Sequence, residues 1–205
     1  MSDWYDKRAA KIVLGFNTEK GQDDSINRIL PELEKLKGNV LEIGAGSGNL
    51  LKYLPANIHY TCIEPNIYLH DSIRTEAVKA GITEVNIIKG TAEKMGLPDN
   101  FFDAVISIRS LCSVDTEQVL QQIKRVLKPG GLFIFVEHVA AKSGSPLWFI
   151  HHIIRYPHKL LRNGCDPAKN TGHMISHAGF SEVKIEGFNT NRFIAKHRIS
   201  GIAFK

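Results

Sequence analysis

The sequence predicts an α/β chain: a doubly wound, seven-stranded and mostly parallel sheet with an antiparallel C-terminal strand. Three observations point there. From residue 38 onward, short apolar runs alternate with segments of helical period, the pattern of βαβ units. The last two apolar runs, 182–188 and 199–204, leave no room for a crossover helix between them, so that pair should be antiparallel. At 205 residues, 43% hydrophobic and 23% charged, the chain suits a single domain with one sizeable core.

The elements follow in order. Helical patterns cover 4–16 and 24–36, the second interrupted by Pro31. Strands are expected at 39–43, 58–63, 85–89, 103–108 and 131–137, before the final pair. Asn66 is placed as the N-cap of one helix and Gly81 as its stop. Another helix starts at Asp115, with Gln118 completing a capping-box pattern. Its apolar face is Val119, Leu120, Ile123, Val126 and Leu127, and Pro129-Gly130-Gly131 ends it. A long insert, 140–165, then carries Leu147, Trp148, Phe149, Ile150, Ile153 and Ile154 on two sides. Such a segment must pack on the sheet edge, a ligand or a bilayer.

Composition narrows the setting. The start has no apolar signal region, and the longest apolar run, 132–136, is far short of the roughly 20 residues of a spanning helix. Cys62, Cys112 and Cys165 cannot close a disulfide framework, and no CxxC pair signals zinc, so no metal site is expected and the chain reads as cytoplasmic and reduced. Net charge is +5, and residues 138–205 hold 10 Lys/Arg against 3 Asp/Glu. Seven of nine histidines lie there too, so the last third favours an anionic partner more strongly as pH falls. His173 and His177 share helical spacing but have no third ligand in a recognisable pattern.

The strongest chemical signal is Val40-Leu41-Glu42-Ile43-Gly44-Ala45-Gly46-Ser47-Gly48-Asn49, a strand entering a glycine-rich turn. Glycines admit a ligand close to the backbone, and free N–H groups there can face an anionic group. A dinucleotide fingerprint would need glycine at 49, where Asn49 stands, so NAD is disfavoured. Glu64, twenty residues beyond Gly44, is placed to take ribose hydroxyls.

Together with GTAEKMGLPDNFFDAVIS and LQQIKRVLKPGGLFIFVEH, these residues resemble the Rossmann-like S-adenosylmethionine-dependent methyltransferases over about residues 38–138. The resemblance implies S-adenosyl-L-methionine as cofactor. It places the methionyl and ribose parts on Glu42, Gly44, Ala45, Gly46 and Gly48, and the ribose on Glu64 beside Pro65. The adenine falls to Thr91, Ala92 and Glu93, where Thr91 replaces the family's acid, and Ser107 and Ile108 line the methionyl side. The run Leu111-Cys112-Ser113-Val114, then Glu137-His138-Val139, Gly164-Cys165 and Ile199-Ser200-Gly201, resembles the methyltransferase-like thiol S-methyltransferases, although those carry an N-terminal hydrophobic anchor that is not seen here.

The resemblance implies a small-molecule acceptor, a thiol first, with N- or O-methylation of a lipid head group or quinone as the alternative and a cofactor-binding regulatory protein as the non-enzyme reading. Nucleic acid is not expected, since the segment after the fourth strand reads SIRS, without an NPPY-type tetrad. Glu137 and His138, at the exit of the fifth strand, are the first candidates for a base or for orienting the acceptor, and Arg109 is the next. The domain divides into an N-terminal helical lid (1–37, with Trp4 and Tyr5), a cofactor core (38–138), an insert over the acceptor (139–180) and the strand pair (181–205). Arg155, Lys159 and Arg162 beside the apolar insert make 145–162 a candidate for peripheral membrane contact.

Overall fold

The computed structural model describes residues 3–15, 25–161, 164–191 and 193–205. Seven strands form one sheet: β1 (Gly38–Ile43), β2 (Ile58–Ile63), β3 (Glu84–Ile88), β4 (Phe102–Ile108), β5 (Leu127–His138), β6 (Glu182–Asn189) and β7 (His197–Phe204). Their order is β3-β2-β1-β4-β5-β7-β6. β1 to β5 pair in parallel, and β7 runs antiparallel between β5 and β6. The order reverses between β1 and β4, which opens the crevice where ligands bind in sheets of this kind.

Alternate residues of the central strands feed two apolar layers. Val40, Tyr60, Ile106, Ile134 and Val136 pack with Ile73 and Ala77 on one face. Leu41, Ile43, Val105, Phe133 and Phe135 pack with Val119, Leu120, Ile123 and Val126 on the other. The helices behind these layers are α1 (Asp3–Gly15), α2 (Leu30–Leu33), α3 (His70–Lys79), α4 (Thr116–Val126), α5 (Pro146–Leu161) and α6 (Thr171–Ser176).

Both expected caps are present. The side chain of Asn66 accepts from Tyr68 N at 3.1 Å, opening a 3₁₀ turn that leads into α3, and Asp115 accepts from Gln118 N at 3.2 Å at the head of α4. Three expectations change, the first being that α4 ends at Val126 and β5 begins at Leu127, so Leu127 and Pro129-Gly130-Gly131 belong to the strand instead of closing the helix. Instead of a helix over 24–36 there is a turn at 25–29 and the four-residue α2, in whose first turn Pro31 stands. Proline lacks an N–H and fits a helix without cost in such a first turn, so it helps to start this helix rather than interrupt one. The insert is largely the 16-residue α5, with Pro157 inside it.

Candidate active site

The glycine turn leaves β1 at the sheet's switch point. Gly44 and Gly46 hold φ of +68° and +57°, values that L side chains adopt at a cost. A Cβ on Gly44 would come 2.4 Å from Ser110 Oγ, whereas on Gly46 its nearest neighbour would be Val13 Cγ1 of α1 at 3.8 Å. Gly44 thus serves close packing against the turn after β4, and Gly46 keeps an open face under α1.

Glu64 follows β2 directly and holds that turn. Gly46 N donates to its Oε2 at 2.8 Å and Asn66 N to its Oε1 at 2.9 Å. Each oxygen therefore spends one lone pair and keeps another. Burial pushes the Glu64 carboxyl up, against the lowering pull of the Asn66 and Gly46 amides and of His70. Glu42, buried in β1, takes the Tyr60 hydroxyl proton donor on Oε2, and burial pushes its carboxyl up to about 7 despite that bond, with Glu64 adding to the rise. Ala45 is buried in the turn, while Pro65 is exposed.

After β3, Thr91 is exposed and Ala92 buried. Glu93 Oε1 accepts from Asp115 N at 3.1 Å, a bond that ties this loop to the start of α4. Ile108 is half-buried, and Ser107 is buried and donates to Glu137 Oε1 at 2.8 Å. Ser110 N and Leu111 N donate to the same oxygen, each at 3.1 Å. Among the described residues Glu137 Oε2 has no hydrogen-bond partner. Burial pushes the Glu137 carboxyl up, opposed chiefly by the Leu111 and Ser107 bonds.

The structure therefore separates the expected pair. Successive strand residues point to opposite faces, so Glu137 braces the turn after β4 from within the core, while His138, also buried, stands beside Cys165. Arg109 is exposed, with φ +59°, and its backbone N donates to Val136 O at 2.7 Å. The side chains of Trp4 and Tyr5, and Arg162, lie outside the described residues.

A methyltransferase-domain family model matches residues 41–135. The thiol S-methyltransferase TMT1B of Rattus norvegicus is 31% identical over 175 residues, covering 82% of this chain and 72% of its own length. The chain belongs to the S-adenosylmethionine-dependent methyltransferase family. Thiol S-methyltransferase TMT1A of Homo sapiens is also 31% identical, over 73% of this methyltransferase and 63% of its own length. In fold, the methyltransferase resembles the phosphoethanolamine N-methyltransferase 2 of Haemonchus contortus solved with S-adenosyl-L-methionine, with a TM-score of 0.67 at 15% identity over 96% of this chain and 56% of that one. The residues present fit this cofactor, through the open face at Gly46 and the spare lone pairs of Glu64.

A second constellation of this methyltransferase was not foreseen. Cys112, in the 3₁₀ turn Leu111–Ser113 after β4, lies 3.5 Å from Cys165, sulfur to sulfur. The Cys165 sulfur is 3.6 Å from His138 Nε2 and 3.9 Å from Nδ1. Asp166 N donates to Cys112 O at 3.1 Å, and Lys169 Nζ donates to Leu111 O and Val114 O. The buried Asp166 carboxylate holds Arg155 at 2.7 Å and Lys159 at 3.0 Å, fastening α5 to the loop that follows it. Burial alone would raise the Asp166 carboxyl, but those two cations hold it below its ordinary value. Burial alone would lower the His138 imidazole, but Cys112 and Glu137 beside it, and the Asp166 carbonyl, raise it. The two cysteines stand 53 positions apart, so no local spacing announced their meeting. Gly164 beside Cys165 is one residue the approach requires: its φ is +85°, and a Cβ there would meet Ser113 O at 3.0 Å.

Proposed function

We propose that this enzyme moves the methyl group of S-adenosyl-L-methionine to the sulfur of a small-molecule thiol. One observation carries the cofactor half: the open face at Gly46 adjoins a buried carboxylate, Glu64, whose two oxygens each keep a lone pair for a ribose diol. In this reading Gly44, Ala45, Gly46 and Gly48 cradle the methionyl and ribose parts, with Pro65 at the rim. Thr91 and the Ala92 backbone face the adenine, and Ile108 flanks the methionyl side. Glu42 and Ser107 support from behind, through Tyr60 and Glu137, and Glu93 does so through Asp115.

The thiol half rests on similarity to the TMT1 thiol S-methyltransferases. In-line displacement breaks the sulfonium C–S bond and forms the acceptor C–S bond. S-adenosylhomocysteine leaves, and the thiol proton goes to solvent. A thiol with a pKa near 8.5 needs little help to ionise, so positioning supplies most of the rate. Release of S-adenosylhomocysteine is to be measured with thiol, phenol and amine panels at equal concentration. Thiols should lead; turnover of amines or phenols with none for thiols would refute the assignment.

We further infer that α5 rests on an anionic lipid surface. Phe149, Ile153, Tyr156, Leu160 and Leu161 line its outer side, Ile153 being 77% and Leu160 74% exposed. The helix holds no acid, and its Arg155 and Lys159 share the single carboxylate of Asp166, which leaves one positive charge in excess there. Among the described residues no helix is long and apolar enough to cross a membrane. An amphipathic helix of this composition lies in the interface plane. The enzyme should sediment with phosphatidylserine-containing vesicles, and Ile153→Asp with Leu160→Asp should release it. Equal sedimentation of both forms, or none of either, would refute the inference.

A further inference from the structure

We propose that Cys112, His138 and Cys165 form a binding site for one tetrahedral divalent metal ion of the zinc type, with the fourth position open to the acceptor sulfur. The three ligand atoms lie within 4.8 Å of one another, the only such group found among the described residues. Zinc bonds of about 2.3 Å to sulfur and about 2.0 Å to nitrogen, at tetrahedral angles, imply edges of about 3.8 Å between sulfurs and about 3.6 Å from sulfur to nitrogen. The observed edges at Cys165 are 3.5 Å to the Cys112 sulfur and 3.9 Å to His138 Nδ1. One triangular face of a tetrahedron is nearly assembled, and an ion seated just above its plane needs only small shifts of side chains.

The surroundings hold that face in place. Gly164 packs its backbone against Ser113 O, bringing Cys165 to Cys112, and Asp166 N fastens the two segments at Cys112 O. His158 Nδ1 contacts Cys165 O at 3.0 Å. The Asp166 carbonyl lies 3.3 Å from His138 Nε2, so with Nδ1 as the ligand the other ring N–H has the carbonyl partner that metal-bound imidazoles keep. Two cysteines and one histidine make a donor set that suits zinc and leaves one position open. Cys165 is half-buried, which provides an entry path, and Cys112 and His138 are buried.

Placement gives the open position its use. Cys112 lies two residues beyond Ser110, whose Oγ donates to Ile43 O at the mouth of the glycine turn. An acceptor thiol taking the fourth position would lose its proton to solvent and present a sulfur anion beside the cofactor crevice. This last step rests on the thiol reading above; the metal site itself does not.

The test uses the full chain, reduced and kept under argon, titrated with Co²⁺ and then competed with Zn²⁺. One Co²⁺ per chain should produce thiolate-to-cobalt charge transfer and tetrahedral d–d bands, which zinc should bleach. Cys165→Ser and Cys112→Ser should weaken Zn²⁺ binding by at least about 100-fold, and Cys62→Ala should leave it unchanged. No cobalt absorption, absorption indifferent to both serine variants, or a Cys112–Cys165 disulfide whose reduction restores no metal uptake would overturn the site. A small alkyl thiol should shift the cobalt bands. Unshifted bands in an enzyme that still releases S-adenosylhomocysteine with thiols would overturn the acceptor role alone, while absence of thiol turnover with intact metal uptake would count against the thiol reading.

Discussion

Replacing Glu64 with Gln tests the cofactor crevice most directly. The carboxylate has four lone-pair sites, two of them taken by Gly46 N and Asn66 N, which leaves two for the cofactor's ribose hydroxyls. Hydrogen bonds to a charged group are worth about 1.5–3 kcal/mol, and an amide keeps only part of this, so S-adenosylhomocysteine should bind roughly 10- to 150-fold more weakly. The amide NH₂ cannot accept, so one of the two backbone N–H groups also loses its partner and Tm should fall. Calorimetry of S-adenosylhomocysteine binding, run beside thermal melts, separates the two effects. Burial raises the Glu64 carboxyl, so wild-type affinity should decline as pH falls through that raised value while Glu64→Gln stays flat. An affinity within threefold of wild type with a lowered Tm would refute the ribose role and leave Glu64 only as the support of the turn.

Three further outcomes are expected. Glu42 titrates near 4.5 when unfolded and near 7 when buried, so the folded protein keeps a proton the unfolded chain has lost. Stability should therefore drop as pH rises from about 4.5 through about 7, by on the order of 3 kcal/mol, and denaturant melts of Glu42→Gln should show that slope flattened. Gly164→Ala puts a Cβ at φ +85° and 3.0 Å from Ser113 O, which should cost about 1–2 kcal/mol and lower Tm by roughly 2–8 °C in scanning calorimetry. For His138→Ala, S-adenosylhomocysteine affinity should hold while thiol turnover falls at least tenfold; unchanged turnover across pH 6–9 would remove His138 from the acceptor side.

Much of the fold was legible because its signals are local. Strand runs such as 103–108, the caps Asn66 and Asp115, and the glycine turn each lie within a few residues, and backbone sterics make them unambiguous. What stayed illegible has a different origin. Pro31 reads either as the end of a long helix or the start of a short one, and only packing decides. Glu137 and His138 are neighbours in sequence, and the same pleat that makes them neighbours turns them apart. The apolar residues of α5 pointed to the sheet edge, a ligand or a bilayer without choosing among them, because periodicity cannot show whether a partner surface belongs to the chain. The meeting of Cys112 with Cys165 needs the whole loop from β5 through α5 to fold back on the turn after β4.

β7 joins β5 to β6, although it is the last strand in the chain. During synthesis, β5 and β6 are therefore both made before the strand that each must pair with, and neither touches the other. Until 197–204 arrives, the inner edge of β5, with Phe133, Phe135 and His138 on it, offers open backbone groups to any other strand. Docking β7 supplies both missing edges at once, including His138 against Arg198 and Glu186 against Ser200. The order of assembly thus makes the His138 side of β5, and not the crevice between β1 and β4, a late product of the folding reaction, and a nascent chain stalled before residue 197 should be prone to pairing with its neighbours.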